Sequence, residues 1–134
     1  MDARCQCGDL SASIAPDAEA MIVLCHCLDC QRRSGSPFGE IAYYPRTSVR
    51  VAGTAQEFTR QTDQGRNFTT GFCPRCGSTL YAHAEKYPDI IGIMVGTLAQ
   101  PDFPPPARSV YEQSRHGWLP LPEGIPRHMR GRDS

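Results

Sequence analysis

Seven cysteines fall at positions 5 and 7, at 25, 27 and 30, and at 73 and 76, and none of the 134 residues holds a cysteine outside these clusters. Cysteines that serve as small apolar core residues have no reason to group in this way. An odd count cannot be satisfied by a complete disulfide framework. The start, Met1-Asp2-Ala3-Arg4-Cys5, has no apolar run behind a basic end. The expected location is therefore the reducing cytoplasm, where thiols stay free. Metal ligation is the reading that uses every sulfur. Two-residue spacers, as in Cys27-Leu28-Asp29-Cys30 and Cys73-Pro74-Arg75-Cys76, suit turns that bring both thiolates to one tetrahedral zinc at about 2.3 Å. Gly77 can take the positive φ that such a turn requires. The one-residue spacers of Cys5-Gln6-Cys7 and Cys25-His26-Cys27 predict extended backbone, with both sulfurs on one face and His26 turned away.

Seven sulfurs divide most simply as four plus three. A closed set of four is the structural form of a zinc site, whereas a set of three keeps a position for water or substrate. Spacing alone allows Cys27, Cys30, Cys73 and Cys76 as the closed set, with Cys5, Cys7 and Cys25 left over. The preferred division keeps Cys25, Cys27 and Cys30 together, because so short a loop loses little chain entropy on closing. Cys5 and Cys7 then join Cys73 and Cys76. Structural zinc contributes roughly 10 to 16 kcal/mol in peptide hosts, against about 5 to 15 kcal/mol of stability for a whole domain. The closed site is therefore expected to decide folding.

The length fits one domain over residues 1–134, and 12 Gly and 12 Pro imply short elements separated by turns. Strands are expected at Leu10 to Ile14, Met21 to Cys25, Phe38 to Tyr44, Ser48 to Val51, Arg66 to Phe72, Thr79 to His83 and Ile90 to Val95, from period-two alternation or short β-branched runs. Leu28 to Arg33, stopped by Gly35, is the expected helical turn. The class is mainly β, antiparallel, with short helical turns. From about residue 101 the chain reads as an extended Pro-rich stretch and then a loose basic tail carrying Arg127, Arg130 and Arg132. The 14 Lys plus Arg balance the 14 Asp plus Glu, which leaves no global field to attract nucleic acid or an anionic membrane. No apolar run approaches the roughly 18 residues of a membrane span.

Three stretches, Cys5-Gln6-Cys7-Gly8, Cys25-His26-Cys27-Leu28-Asp29-Cys30-Gln31-Arg32-Arg33-Ser34-Gly35 and Phe72-Cys73-Pro74-Arg75-Cys76-Gly77-Ser78, resemble the glutathione-dependent formaldehyde-activating enzyme (GFA) family, which includes centromere protein V. The similarity continues through Gly96-Thr97-Leu98 and the stretch from Trp118 to Pro126. The resemblance implies a β-tent fold, a structural zinc on Cys5, Cys7, Cys73 and Cys76, and a second zinc on Cys25, Cys27 and Cys30. It also implies condensation of glutathione with formaldehyde, a carbon–sulfur lyase reaction run in reverse.

Three thiolates weaken zinc as a Lewis acid, so the chemistry expected at the second site is that of a bound, deprotonated thiol attacking an aldehyde. Arg32 and Arg33 follow the triad and are candidates to clamp substrate carboxylates, while Ser34 and Gly35 offer a hydroxyl and backbone amides, or form a plain turn. No acid or base is singled out. His26 is expected to face away from the metal, and His83, His116 and His128 carry no motif. Tyr43, Tyr44, Phe68 and Tyr81 read first as core and second as pocket lining. The competing function is a zinc-stabilised binding module, without catalysis, that recognises a protein or nucleic acid.

Overall fold

The computed structural model describes residues 1–134, and its strands form two sheets. The smaller sheet runs in the order β1 (Asp2–Arg4), β2 (Ser11–Ile14), β5 (Val49–Ala52) and is antiparallel. The larger runs β10 (Arg108–Val110), β3 (Met21–Cys25), β4 (Gly39–Pro45), β9 (Ile90–Met94), β8 (Thr79–Ala84), β7 (Asn67–Phe72), β6 (Gln56–Gln61). All its pairs are antiparallel except β10 with β3. No helix is long and apolar enough to cross a membrane.

Period-two alternation explains how the larger sheet acquires two different faces. Ile22 pairs with Ala42 across β3 and β4, and both enter the main core with Tyr44, Leu80, Ile91 and Ile93. The smaller sheet contributes Ala3, Ala12 and Ile14 to the same core. The alternate residues Met21, Val23 and Cys25 lie on the opposite face. A smaller apolar cluster of Ile41, Phe68, Ala82 and Met94 covers part of that face, with Tyr43 and Ala84 against it.

The one α-helix, α1 (Leu28–Ser34), leaves this face just past the end of β3. Cys27 caps its start, the sulfur accepting from the Cys30 N–H at 3.2 Å. Asp29 in the first turn and Arg32 and Arg33 in the last complement the helix dipole. Gly35, at φ 67°, ends the helix by donating its N–H to the Gln31 carbonyl.

The strands expected from alternation are all present within one or two residues. The short terminal strands β1 and β10 and the edge strand β6 were not foreseen. Five of the six residues of β6 are exposed, so no burial pattern was available to mark it. The expectation of a loose basic tail is corrected. Ser109 donates to the Pro126 carbonyl at 3.0 Å, His128 donates back to Ser109 at 2.9 Å, and Tyr111 donates to Arg130 at 2.8 Å. Arg127 makes a bidentate contact with Glu112, at 2.9 Å through Nε and 2.7 Å through Nη2. The edge of β10 has backbone groups to satisfy, and the last residues satisfy them.

One row of side chains across β6, β7 and β8 depends on a missing Cβ. Glu57, Gly71 and Tyr81 are directly opposed, and the Tyr81 ring lies over Gly71 so that its hydroxyl donates to Glu57 at 2.6 Å. A Cβ on Gly71 would collide with that ring. Gly71→Ala is expected to destabilise the protein by about 2 to 4 kcal/mol, through overpacking and loss of this hydrogen bond, read as a lowered denaturant midpoint at unchanged slope.

Candidate metal centres and the adjoining cavity

The structure brings the seven cysteines together as four and three. The sulfurs of Cys5, Cys7, Cys73 and Cys76 lie within 4.8 Å of one another, as do those of Cys25, Cys27 and Cys30. All seven are free thiols. Cys7 Sγ lies 3.6 Å from both Cys5 Sγ and Cys73 Sγ. A tetrahedron with metal–sulfur bonds of about 2.3 Å has sulfur–sulfur edges of about 3.8 Å, so this donor set fits a single four-coordinate ion.

The backbone around the first centre explains that convergence. Strand β1 ends at Arg4, and Cys5 to Gly8 form a turn instead of the expected extended strand. Gly8, at φ 90°, donates to the Cys5 carbonyl, and the Leu10 N–H donates to Cys5 Sγ at 3.3 Å. The turn aims amides at sulfur, which an extended strand cannot do. On the other side Gly77, at φ 80°, donates to the Cys73 carbonyl at 2.8 Å. Ser78 Oγ then bridges the two turns, accepting from the Gln6 N–H at 3.0 Å and lying 3.3 Å from Cys76 Sγ. Hydrogen bonds from the Ser78 side chain and backbone push the Cys76 thiol down to about 5. Cys5 and Cys73 are buried.

The second centre is local. Cys25 ends β3, Cys27 caps α1 and Cys30 lies in the first turn of that helix. In the metal-free chain the Cys27 thiol is pushed down to about 2, because Cys25 and Cys30 hydrogen-bond to it, helped by the Cys30 N–H and the Arg60 charge. Cys25 moves well up, through the hydrogen bonds with Cys27 and Cys30. Cys30 is drawn down by Cys25, but Cys27 and burial carry it up to about 11. A metal ion bound here must displace the protons of the remaining thiols.

Two arginines face this sulfur cluster. Arg33 lies over Gly39 on β4, where a Cβ would come within 2.5 Å of its Nη2 and 3.3 Å of Cys30 Cβ. The Arg33 Nε is buried without a hydrogen-bond partner, as fits a guanidinium placed to balance anionic sulfur. Arg60, from β6, sits 4.8 Å over the Phe68 ring and 3.5 Å from Asp29. Nothing near Arg60 in sequence announces it. It reaches Cys27 only because the sheet curls β6 and β7 toward α1.

The triad opens on a cavity of about 620 Å³. Cys25, Cys27 and Cys30 form part of its wall with Tyr43, Phe68 and Arg60. The other residues expected to bind substrate are placed elsewhere. Arg32 is exposed beside a second, shallower cleft that Arg33 also borders. Ser34 Oγ donates to the Phe38 carbonyl at 3.1 Å, so Ser34 closes the last turn of α1 and Gly35 caps it. His26 is fully buried, 3.0 Å from Ser109 Oγ, and anchors β10 to β3. Burial lowers its pKa, so it stays neutral. Tyr44 is fully buried in the main core, and Tyr43 and Phe68, which belong to the smaller apolar cluster, border the cavity.

Residues 1–114 match the family model described as glutathione-dependent formaldehyde-activating enzyme. The chain belongs to that family. Membership is consistent with an enzyme-like role in formaldehyde activation and with glutathione as a partner. No curated protein matches the chain. Among solved structures, a Rhodobacter sphaeroides protein is similar, with a TM-score of 0.54 and 22% identity over 78% of this chain and 92% of that one. At that identity the likeness concerns the fold.

The two centres should differ in what their loss does. Cys73→Ser is expected to leave the chain largely unfolded by circular dichroism. Cys27→Ser should keep the fold and lose only the metal of its own cluster, measured by elemental analysis. Protons compete with metal for sulfur, so occupancy of both centres should fall as pH is lowered.

Proposed function

We propose that the protein joins a thiol of the glutathione type to formaldehyde or a related aldehyde, a carbon–sulfur lyase reaction run in the synthetic direction, with zinc as the metal of both centres. The observation that carries this reading is the three-sulfur cluster in the wall of a cavity large enough for a peptide thiol. Cys5, Cys7, Cys73 and Cys76 would hold the structural zinc, and Cys25, Cys27 and Cys30 the second. When bound at the triad, zinc supplies the Lewis acidity that keeps an incoming thiol deprotonated near neutral pH.

The rest is the work of the chain itself. Arg33 and Arg60 balance the negative charge of three thiolates, so that an added anionic sulfur meets less repulsion. Tyr43 and Phe68 keep bulk water from one side of the cavity, which favours the free carbonyl over its hydrate. Holding thiol and aldehyde together turns a bimolecular encounter into an oriented one. In the reaction sulfur bonds to the carbonyl carbon, and the thiol proton ends on the former carbonyl oxygen. A reducing, cytoplasmic setting suits seven free thiols.

The test is the rate of adduct formation from glutathione and formaldehyde above the spontaneous background. The zinc-loaded protein should accelerate it, and Cys27→Ser should lower the acceleration by at least about a hundredfold while retaining its fold. An unaccelerated reaction with both zinc ions in place would favour the binding module instead.

A further inference from the structure

Formaldehyde is far smaller than the space beside the triad, and the character of that space suggests what else it accommodates. Cys25 is the last of three residues, with Met21 and Val23, that β3 presents on one face. Ile41 and Tyr43 stand opposite Val23 and Met21 on β4, and Phe68 closes the far side from β7. These five form a continuous apolar floor that begins at the sulfur cluster. Gly92 on β9 keeps it low, because a Cβ there would collide with Ile41 and come within 3.0 Å of the Tyr43 ring.

The rim has the opposite character. Arg66 and Arg132 line the cavity without a carboxylate partner, while Arg108, also in its lining, is held by His128, with Nη1 2.6 Å from Nε2. The C-terminal segment roofs it. Tyr111 donates to Asp63 at 2.7 Å, and Lys86 pairs with Asp133 at 2.6 Å, tying the segment to the β6–β7 turn and to the end of β8. Tyr111 holds this position at φ 58°, a left-handed conformation uncommon for a bulky residue, so the roof is over-determined by its surroundings. A site with two uncommitted guanidinium groups, Arg66 and Arg132, at the rim and an apolar floor running from the sulfurs matches a ligand with two ends.

We propose that the site takes the adduct of an anionic thiol with an apolar aldehyde, an aliphatic or aryl chain of several carbons lying on the Met21, Val23, Ile41, Tyr43 and Phe68 floor. The thiol's carboxylates meet the arginine rim. This rests on the thiol–aldehyde reading above and specifies its substrate class. The chemistry is unchanged: one carbon–sulfur bond forms, the S–H proton passes to the carbonyl oxygen, and no oxidant or reductant takes part.

S-hexylglutathione stands in for the hexanal adduct without its hydroxyl, and S-methylglutathione for the formaldehyde adduct. Calorimetric titration of the zinc-loaded protein should show the hexyl compound binding at least about tenfold more tightly, the ratio expected when about two methylenes leave water. Val23→Asn should reduce that ratio toward one, and Val23→Ala serves the same comparison if the polar variant does not fold. Equal affinities for the two compounds in the wild-type protein would overturn the proposal. Failure of the parent reading has a different signature, namely no acceleration with formaldehyde whatever the alkyl series shows.

Discussion

The four sulfurs of Cys5, Cys7, Cys73 and Cys76 converge where the two sheets meet, at the edge of the core that both share. Cys5 and Cys7 sit in the turn between β1 and β2 of the smaller sheet, and Cys73 and Cys76 in the turn between β7 and β8 of the larger. The Cys7–Cys73 contact spans 66 residues of sequence, a loop that the apolar core alone must otherwise close. That core is modest. Several of its members, Ala3, Ala12 and Ala42 among them, are small and bury little apolar area. A structural metal held there would contribute roughly 10 to 16 kcal/mol, comparable with the entire stability of an ordinary domain.

With the sheets fixed there, the second centre needs no long-range closure of its own. Cys25, Cys27 and Cys30 share one strand end and one helical turn, and their geometry is set by the cap that Cys27 forms on α1. The contrast in wiring is physical. The first cluster is enclosed by two turns whose amides and Ser78 hydroxyl engage its sulfurs or the backbone beside them. The second has a cavity on one side and two guanidinium groups nearby. A centre of the first kind resists exchange, and one of the second kind can alter its surroundings without loosening the fold.

How much of this was legible in the sequence depended on whether the signal was local. The cysteine clusters were readable because short spacers are local facts, while their division into four and three rested on the low closure entropy of a local triad. The strands at Met21 to Cys25 and Ile90 to Met94 were readable because a buried face imposes a pattern. Arg60 was not readable. It lies in an exposed edge strand without alternation, 33 residues from Cys27, and joins the site only through the pairing of β6 with β7. Arg33 was visible as a neighbour of the triad, but helical geometry separates it from Arg32 and places Ser34 and Gly35 at the helix end and its cap. The C-terminal residues looked like a basic tail because their partners, Glu112 and the β10 backbone, could not be identified before β10 itself was.

Two glycines shape the face of the larger sheet that carries the triad. Gly39 leaves room for the Arg33 guanidinium beside Cys30, and Gly92 leaves room for Ile41 and the Tyr43 ring. Both lie inside strands of the larger sheet, where a glycine weakens the strand by roughly 0.5 to 1 kcal/mol relative to alanine. A sheet held only by its own packing would be more stable with side chains at these positions. The main core lies on the opposite face of this sheet, so these positions are not part of its packing. The space on their own face is taken instead by an arginine against the triad, an aromatic ring and an open floor.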